Sequence, residues 1–302
     1  MIHVLQPGLF TTVQDNGRWG YQRFGIPVAG PMDRVSHRLA NLIVGNRPSC
    51  ATLEVTLAGP RLEFQRDLRF AVSGAEFELF LDGTPLSMDT AQPVRSGQCL
   101  AFGRRQRGAR AYVAVAGGIK VPLVLGSRAT HVASRMGGFR GRALAAGDVL
   151  AVGATVERRA RPGRRSMPAS GTAGRVRVLP GPDAERFGAL GAAVLAAAEY
   201  RVGAASDRMG YRLDGPALDQ AGPELPSCAV PAGAIQVPPS GEPIILMADR
   251  PTSGGYPRIG TVITADIPVL AQMAPADRVA FETCNLETAM QALIAQERAL
   301  LA

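Results

Sequence analysis

Three stretches of this chain gather acid, arginine, hydroxyl and glycine at spacings suited to holding an anion or a developing oxyanion. The richest runs from Met247 to Gly260. Ile244 to Met247 reads as an apolar strand that delivers Asp249 and Arg250 to its end. Pro251 stops ladder pairing, and Gly254-Gly255 lets backbone N–H groups approach a ligand closely. Thr252, Ser253 and Tyr256 add hydroxyls, while Arg250 and Arg258 add planar forks that match carboxylate or phosphate. The stretch from Thr11 to Asp33 repeats this chemistry, with Gln14 and Asp15 after Val13 and with Arg18 after Gly17. A strand-end Asp there orients an arginine, or serves as a general base if desolvated. In the third stretch, Ser206 to Gly215, Arg208 and Arg212 flank Gly210-Tyr211. Each stretch alone also reads as a tight turn whose Asp and Arg pair with each other. Recurrence in one chain favours a site, because structural turns do not need such repeated polar groups.

The rest of the sequence narrows the chemistry. Lys120 is the only lysine, so there is no phosphate loop of the GxxxxGK[ST] type. His3, His37 and His131 are not paired at metal-ligand spacing, and no metal site is expected. No GxSxG elbow is present, and no Met-Lys-Met sequence that accepts biotin. Cys50, Cys99, Cys228 and Cys284 lie far apart, as free thiols of a reducing cytosol do. The formal charge is +8, but the arginines are scattered, and only Arg158 to Arg165 forms a run. That run reads as a solvated linker, so no nucleic-acid partner is expected. No stretch approaches ~18 uninterrupted apolar residues, so no membrane span is expected. The first residues lack the basic start and apolar core of a secretory signal.

The elements that must position these residues are mostly strands. Thr52–Leu57, Arg61–Phe64, Leu68–Ser73, Glu76–Leu81, Ala111–Ala116, Arg175–Leu179, Ile235–Val237, Ile244–Ala248 and Val279–Glu282 read as short strands punctuated by 35 Gly and 23 Pro. Asp82-Gly83 reads as a hairpin turn. Helices are expected over Asp33–Val44, capped by Asp33 and ended by Gly45, and over Asp183–Tyr200 and Leu286–Leu301. Many short strands with few helices predict a mainly β protein of barrels or sandwiches. The length of 302 residues suits two domains, 1–165 and 166–302, with the Pro/Gly/Ser-rich stretch before Gly174 as the boundary. A weak repeat crosses that boundary: Trp19–Gly25 resembles Met209–Gly215, and Leu53–Gly59 is followed by a counterpart at Ile235–Gly241. If it marks a duplication, the cleft between two related barrels is the default site.

Together, Thr12–Gly20, Gly30–Asp33, Leu53–Val55, Ala114–Gly118, Ser206–Leu213, Ile235–Gly241 and Ala248–Gly260 resemble a known family, that of the 5-oxoprolinase C subunit. The same family is also called allophanate hydrolase subunit 2, Kip-inhibitor antagonist or biotin-dependent carboxyltransferase-like. The resemblance runs in order from about residue 2 to 285. It implies two cyclophilin-like β-barrels and two partner proteins, a smaller one like the 5-oxoprolinase B subunit (Kip-inhibitor-like) and one like its A subunit. It implies a cytoplasmic assembly that opens 5-oxoproline to glutamate with ATP and is inactive as the single chain. Asp249, Arg250, Asp15 and Tyr256 become the expected catalytic residues. Gln14, Arg18, Arg208, Arg212, Tyr211, Thr252, Ser253, Gly254, Gly255 and Arg258 become the expected substrate-binding residues. Two other roles stay open. One is a carboxyltransferase-like component of urea amidolyase type that acts on another amide or urea-like substrate. The other is a non-enzymatic antagonist of a kinase-inhibitor protein. Two positions depart from the family pattern. Pro251 stands where Gln is expected, and Asp207 stands beside Arg208 where Asn is common.

Overall fold

The computed structural model describes residues 1–154 and 175–301. The expected boundary at 165/166 and the Arg158–Arg165 run lie outside the described residues. The chain falls into two compact units, Met1–Arg18 with Ala29–Ser166, and Trp19–Val28 with Met167–Ala302.

The first unit carries β1 (Ile2–Gln6), β2 (Phe10–Gln14), α1 (Arg34–Ile43), β3 (Thr52–Thr56), β4 (Arg61–Phe64), β5 (Leu68–Leu81), β6 (Thr84–Leu86), β7 (Gln92–Val94), β8 (Cys99–Val115), β9 (Ile119–Lys120) and β10 (Val149–Val152). These ten strands form one sheet, ordered β2-β3-β8-β4-β1-β10-β9, with β5 pairing β6, β7 and β8. The two runs expected at Leu68–Ser73 and Glu76–Leu81 are one strand, bent by irregularities between Gly74 and Leu79 that also stagger its ladder with β8. Bulges of this kind sharpen the twist and curl a sheet towards closure. The core inside is apolar, with Ile2, Val13, Leu53, Val55, Leu62, Phe64 and Leu100 sealed from solvent. The Asp82-Gly83 turn is as expected: both residues have positive φ, as a two-residue hairpin of the right twist requires.

Helix α1 begins where the sequence places it. Asp33 Oδ1 accepts from the N–H groups of Val35 and Ser36, and Oδ2 accepts from Ser36 Oγ at 2.6 Å. Its buried face packs on β5 and β8 and carries His37 into the interior. His37 Nδ1 lies 2.9 Å from Thr52 Oγ1, and the ring meets Tyr112 edge-on.

The second unit carries β11 (Arg175–Pro180), α2 (Gly188–Ala197), β12 (Glu199–Val202), β13 (Gly210–Asp214), β14 (Cys228–Ala229), β15 (Ala234–Gln236), β16 (Ile244–Leu246), β17 (Ser253–Gly254), β18 (Arg258–Val262), α3 (Ile267–Ala271), β19 (Arg278–Thr283) and α4 (Leu286–Leu301). Seven strands close a barrel, β11-β18-β15-β16-β13-β12-β19, and a parallel ladder of β11 with β19 makes the closure. Closure removes the free edges that an open sheet leaves for aggregation. The two-stranded β14–β17 ribbon stands apart from it.

The helix expected over Asp183–Tyr200 is broken at both ends. Residues 184–187 form a 3₁₀ turn, Gly188 takes φ +59 and ψ −178, and Glu199 to Val202 are drawn into the barrel. Barrel pairing with β19 and burial of Tyr200 against Phe281 outweigh the local helical preference of an Ala-rich run. The first arm of the repeat also differs, since Gln22–Phe24 is a 3₁₀ turn whereas Gly210–Asp214 is a strand. The described fold is mainly β, and among the described residues no helix is long and apolar enough to cross a membrane.

Burial pushes the His37 imidazole down to about 4. The unfolded chain takes up this proton near pH 6.5, but the folded chain only near pH 4. Stability therefore falls as pH drops from about 6.5 towards about 4, by a limit of about 3 kcal/mol. Urea titrations across that window are expected to show this slope for the wild type and a flatter one for His37→Gln. Equal slopes would remove His37 as the cause.

Candidate active site

In the first unit, β2 is buried almost throughout and ends in Gln14 and Asp15. Gln14 Nε2 donates to Thr12 Oγ1 at 3.0 Å and to Thr130 O at 3.1 Å. The Asp15 carboxylate accepts from Gly17 N–H, from Ser127 Oγ and from Arg128 N–H at 2.6 Å. Arg18 is 1% exposed and donates through Nη2 to Ala129 O. Three expected site residues thus converge on one partner, residues 127–130. That segment opens a loop with left-handed backbone at Gly126, Arg135, Gly137, Gly138, Arg140 and Gly141. A side chain at Gly137 would strike Ala129 O, and one at Gly138 would strike Thr130. The Asp15 turn is packed from its other side by Gly30, at φ +94, whose missing side chain would sit 3.1 Å from Asp15 O.

The Gly30–Asp33 segment is itself held from the core. Glu54 Oε2 accepts from Met32 N–H and from Tyr112 Oη, both at 2.8 Å, while Asp33 N–H donates to Tyr112 Oη. Burial and the Glu54 carboxylate hold the Tyr112 phenol well above its ordinary value, so the proton stays on Tyr112. Ser127, Thr130 and Tyr112 were not singled out by sequence. The available signal for the first two was the glycine density of 126–141, the same feature that marked the other three stretches.

In the second unit, Arg208 and Asp249 form a two-pronged ion pair, Nε to Oδ2 and Nη2 to Oδ1, both 2.9 Å, with both residues buried. Asp249 N–H also donates to Arg208 O at 2.8 Å, so the pair welds the turn before β13 to the end of β16. Asp207 Oδ1 accepts from Met209 N–H and Gly210 N–H, so the Asp207 carboxylate shapes this turn. Arg250 Nε donates to Val230 O at 3.1 Å. Gly254 lies in the ribbon opposite Cys228, and a side chain there would meet the Gln236 amide at 2.8 Å. Gln236 Nε2 donates to Tyr256 O at 3.2 Å, a second loop-holding glutamine, inside the Ile235–Gly241 segment but outside the expected site residues. Gly255 is packed against Leu225 O. Arg258 is tied by its backbone to Asp183 and by Nη1 to Ala229 O. Tyr211 is buried, with its hydroxyl 3.4 Å from Met273 O, whereas Arg212 and Ser253 are exposed and Thr252 is half-buried. Tyr256 presents an exposed phenol.

Each unit therefore places a carboxylate, an arginine and a glutamine at strand ends, where they hold loops rich in N–H groups and arginine. Preorganised donors of this kind suit a reaction that builds charge on a carbonyl oxygen. The family described as carboxyltransferase domain, subdomain A and B, matches residues 24–283. The chain belongs to that family. It is 40% identical to the C subunit of 5-oxoprolinase from Escherichia coli strain K12, over 99% of this chain and 96% of that protein. It is 35% identical to urea amidolyase of Lachancea kluyveri, over 98% of this chain but 18% of that protein. The crystal structure of Kluyveromyces lactis urea carboxylase superposes with a TM-score of 0.93 at 32% identity, covering 99% of this chain and 29% of that one.

Breaking the buried pair with Asp249→Asn leaves Arg208 charged and poorly compensated. It is expected to destabilise the second unit by about 3–5 kcal/mol. The apolar double variant Arg208→Met/Asp249→Leu is expected to recover most of that loss. Urea unfolding of the two variants measures both values, and equal losses would show that the uncompensated Arg208 charge is not the source of the loss.

Proposed function

We propose that this chain is the C subunit of an ATP-dependent 5-oxoprolinase, which converts 5-oxo-L-proline, ATP and water to L-glutamate, ADP and phosphate. The observation that carries this reading is 40% identity spread over nearly the whole of a protein named as that same component of 5-oxoprolinase. The chain works in the cytoplasm with two partners, one like the 5-oxoprolinase B subunit (Kip-inhibitor-like) and one like its A subunit, and is inactive alone.

The chemical task is to activate a poorly electrophilic lactam. The γ-phosphoryl group of ATP passes to the lactam oxygen and ADP leaves. Water then adds at the ring carbonyl carbon and the carbon–nitrogen bond breaks, the proton going to the departing amine, to give γ-glutamyl phosphate. A second water adds at that carbon and phosphate departs, leaving glutamate. In this reading Asp15 and Asp249 act as positioning residues, since each spends its carboxylate on donors of its own unit. The exposed Tyr256 hydroxyl and the Arg250 guanidinium are the groups assigned to the substrate oxygen. Ser253, Thr252 and Arg212 line the approach within the same unit. The high TM-score with a urea carboxylase favours, as the second reading, action on another amide or urea-like compound.

The test is glutamate release from 5-oxoproline, with this chain alone and with the co-expressed A-like and B-like proteins. Turnover is expected only in the assembled mixture and only with ATP. A stable complex without turnover would move the reading to the second substrate class. Within an active complex, Tyr256→Phe is expected to lower kcat by about 10²-fold with little change in KM, the usual effect of losing one oxyanion donor. An unchanged kcat would remove Tyr256 from the chemistry.

A further inference from the structure

Left-handed backbone is costly for residues with a side chain, and glycine normally fills it. In the loop held by Gln14, Asp15 and Arg18, glycine does so at 126, 137, 138 and 141, but leucine does so at 125 and arginine at 135 and 140. Both arginines are exposed. Neither has a hydrogen bond or ion pair from its side chain to any described residue, although the Arg140 guanidinium rests on the Phe139 ring. Retaining a long cationic side chain where glycine relieves strain points to a use for the cation.

The two arginines are neighbours. A side chain at Gly141 would collide with the Arg135 backbone, so residues 135 and 140–141 lie against each other. Arg135 closes a turn, its N–H donating to Val132 O, and the turn is clasped by reciprocal backbone bonds between His131 and Met136. His131 lies at the base of this turn and is 4% exposed. Its Nδ1 accepts from Ser134 N–H, which leaves the proton on Nε2, and Nε2 has no hydrogen-bond partner among the described residues. The nearby carboxylate, Asp148, feels the Arg140 charge but is already taken by both prongs of Arg142 and by Ala145 N–H. Among the described residues, positive charge on this loop is therefore left without an acidic partner of its own.

We infer that Arg135 and Arg140, with the His131 Nε2–H at the base of their turn, form an oxyanion-binding site for a phosphate or carboxylate group. The ligand is an anionic substrate group, either the phosphate chain of ATP or the carboxylate of 5-oxoproline. This assignment of the two sources rests on the proposed oxoprolinase reading; the anion site itself does not.

The experiment is an amide NMR titration of the full chain alone, at low ionic strength, with inorganic phosphate, ATP and 5-oxo-L-proline in separate arms. Saturable shifts confined to residues 131–141 are expected. Shifts with phosphate and ATP assign the phosphoryl source, and shifts with 5-oxoproline alone assign the carboxylate. Arg135→Asn/Arg140→Asn keeps residues that tolerate left-handed backbone. It is expected to weaken the affinity at least about tenfold with the thermal midpoint unchanged or raised. Arg107→Gln, at an exposed arginine paired with Glu76, serves as the charge control and is expected to leave the affinity unchanged. No saturable shift at 131–141 in any arm overturns the site. So does unaltered binding by the double variant, an equal loss in the Arg107 variant, or a fall in thermal midpoint that accounts for the lost binding. No turnover enters this assay, so anion binding persists if the assembled complex proves to act on a different amide. Conversely, a working oxoprolinase whose KM for both substrates ignores the double variant overturns the assignment of the ligand to those substrates and leaves the function standing.

Discussion

A carboxylate buried at the end of a strand must be surrounded by donors, because an unpaired buried charge costs several kcal/mol. Asp15 meets this demand by gathering a backbone N–H from its own turn and a hydroxyl and an N–H from residues more than a hundred positions away. Asp249 meets it with the fork of Arg208. In both units the result is mechanical. The loop that supplies the donors loses its freedom, and outside any helix or long strand it has only short backbone bridges of its own. Ala129 O and Thr130 O would otherwise be buried acceptors in need of partners, and Arg18 and Gln14 supply them. The satisfied acid and the immobilised loop are one arrangement seen from two sides.

This constraint divides the polar residues by task. A carboxylate whose oxygens already accept two or three hydrogen bonds has little capacity left to bind a ligand. Such groups fix geometry, and preorganised geometry lowers a barrier because donors need not reorganise as charge develops. Contact with a ligand then falls to groups with unspent capacity at the surface, of which the Tyr256 phenol is the clearest in the second unit. The first unit differs, because its exposed polar groups sit on the clamped loop rather than on the clamp.

How far the sequence reveals this arrangement depends on the range of the interaction. Helix α1 was legible because its signals are local: Asp33 as the cap, apolar residues on one face and Gly45 beyond the end. The same holds for α4 and for the Asp82-Gly83 turn. Strand positions were legible from β-branched runs, but their lengths were not. Gly74 reads as an interruption and only Ala111–Ala116 of β8 reads as strand, whereas the structure carries one ladder through both with bulges. Tyr200 read as helical because its partners on β19 lie about eighty residues away. The candidate residues followed the same rule. The ends of β2 and β16 announced themselves by composition, and so did the arginines beside them. Their partners did not. Ser127, Thr130 and Gln236 are ordinary residues whose importance comes only from where folding puts them.

The suspected repeat shows why resemblance of letters and resemblance of chemistry must be judged separately. Trp19–Gly25 and Met209–Gly215 look alike, yet one contains a 3₁₀ turn and the other a strand. The parallel that survives joins residues the alignment did not pair. Gln14 and Gln236 each end a strand, and each sends an amide N–H to a loop carbonyl. Arg18 and Arg250 each cap a carbonyl, of Ala129 and of Val230. Asp15 and Asp249 each bind a segment distant in the chain, through Arg128 N–H and through the Arg208 fork. Neutral amide to carbonyl, cation to carbonyl and carboxylate to donor together leave few loop groups to exchange partners with water. Two barrels that place these three side-chain types at strand ends reach the same rigidity whether or not one was copied from the other. Pro251 fits that logic: following Arg250, it has no N–H to satisfy and a fixed φ, so the turn is stiffened at a position where an amide side chain would add a further polar group to place.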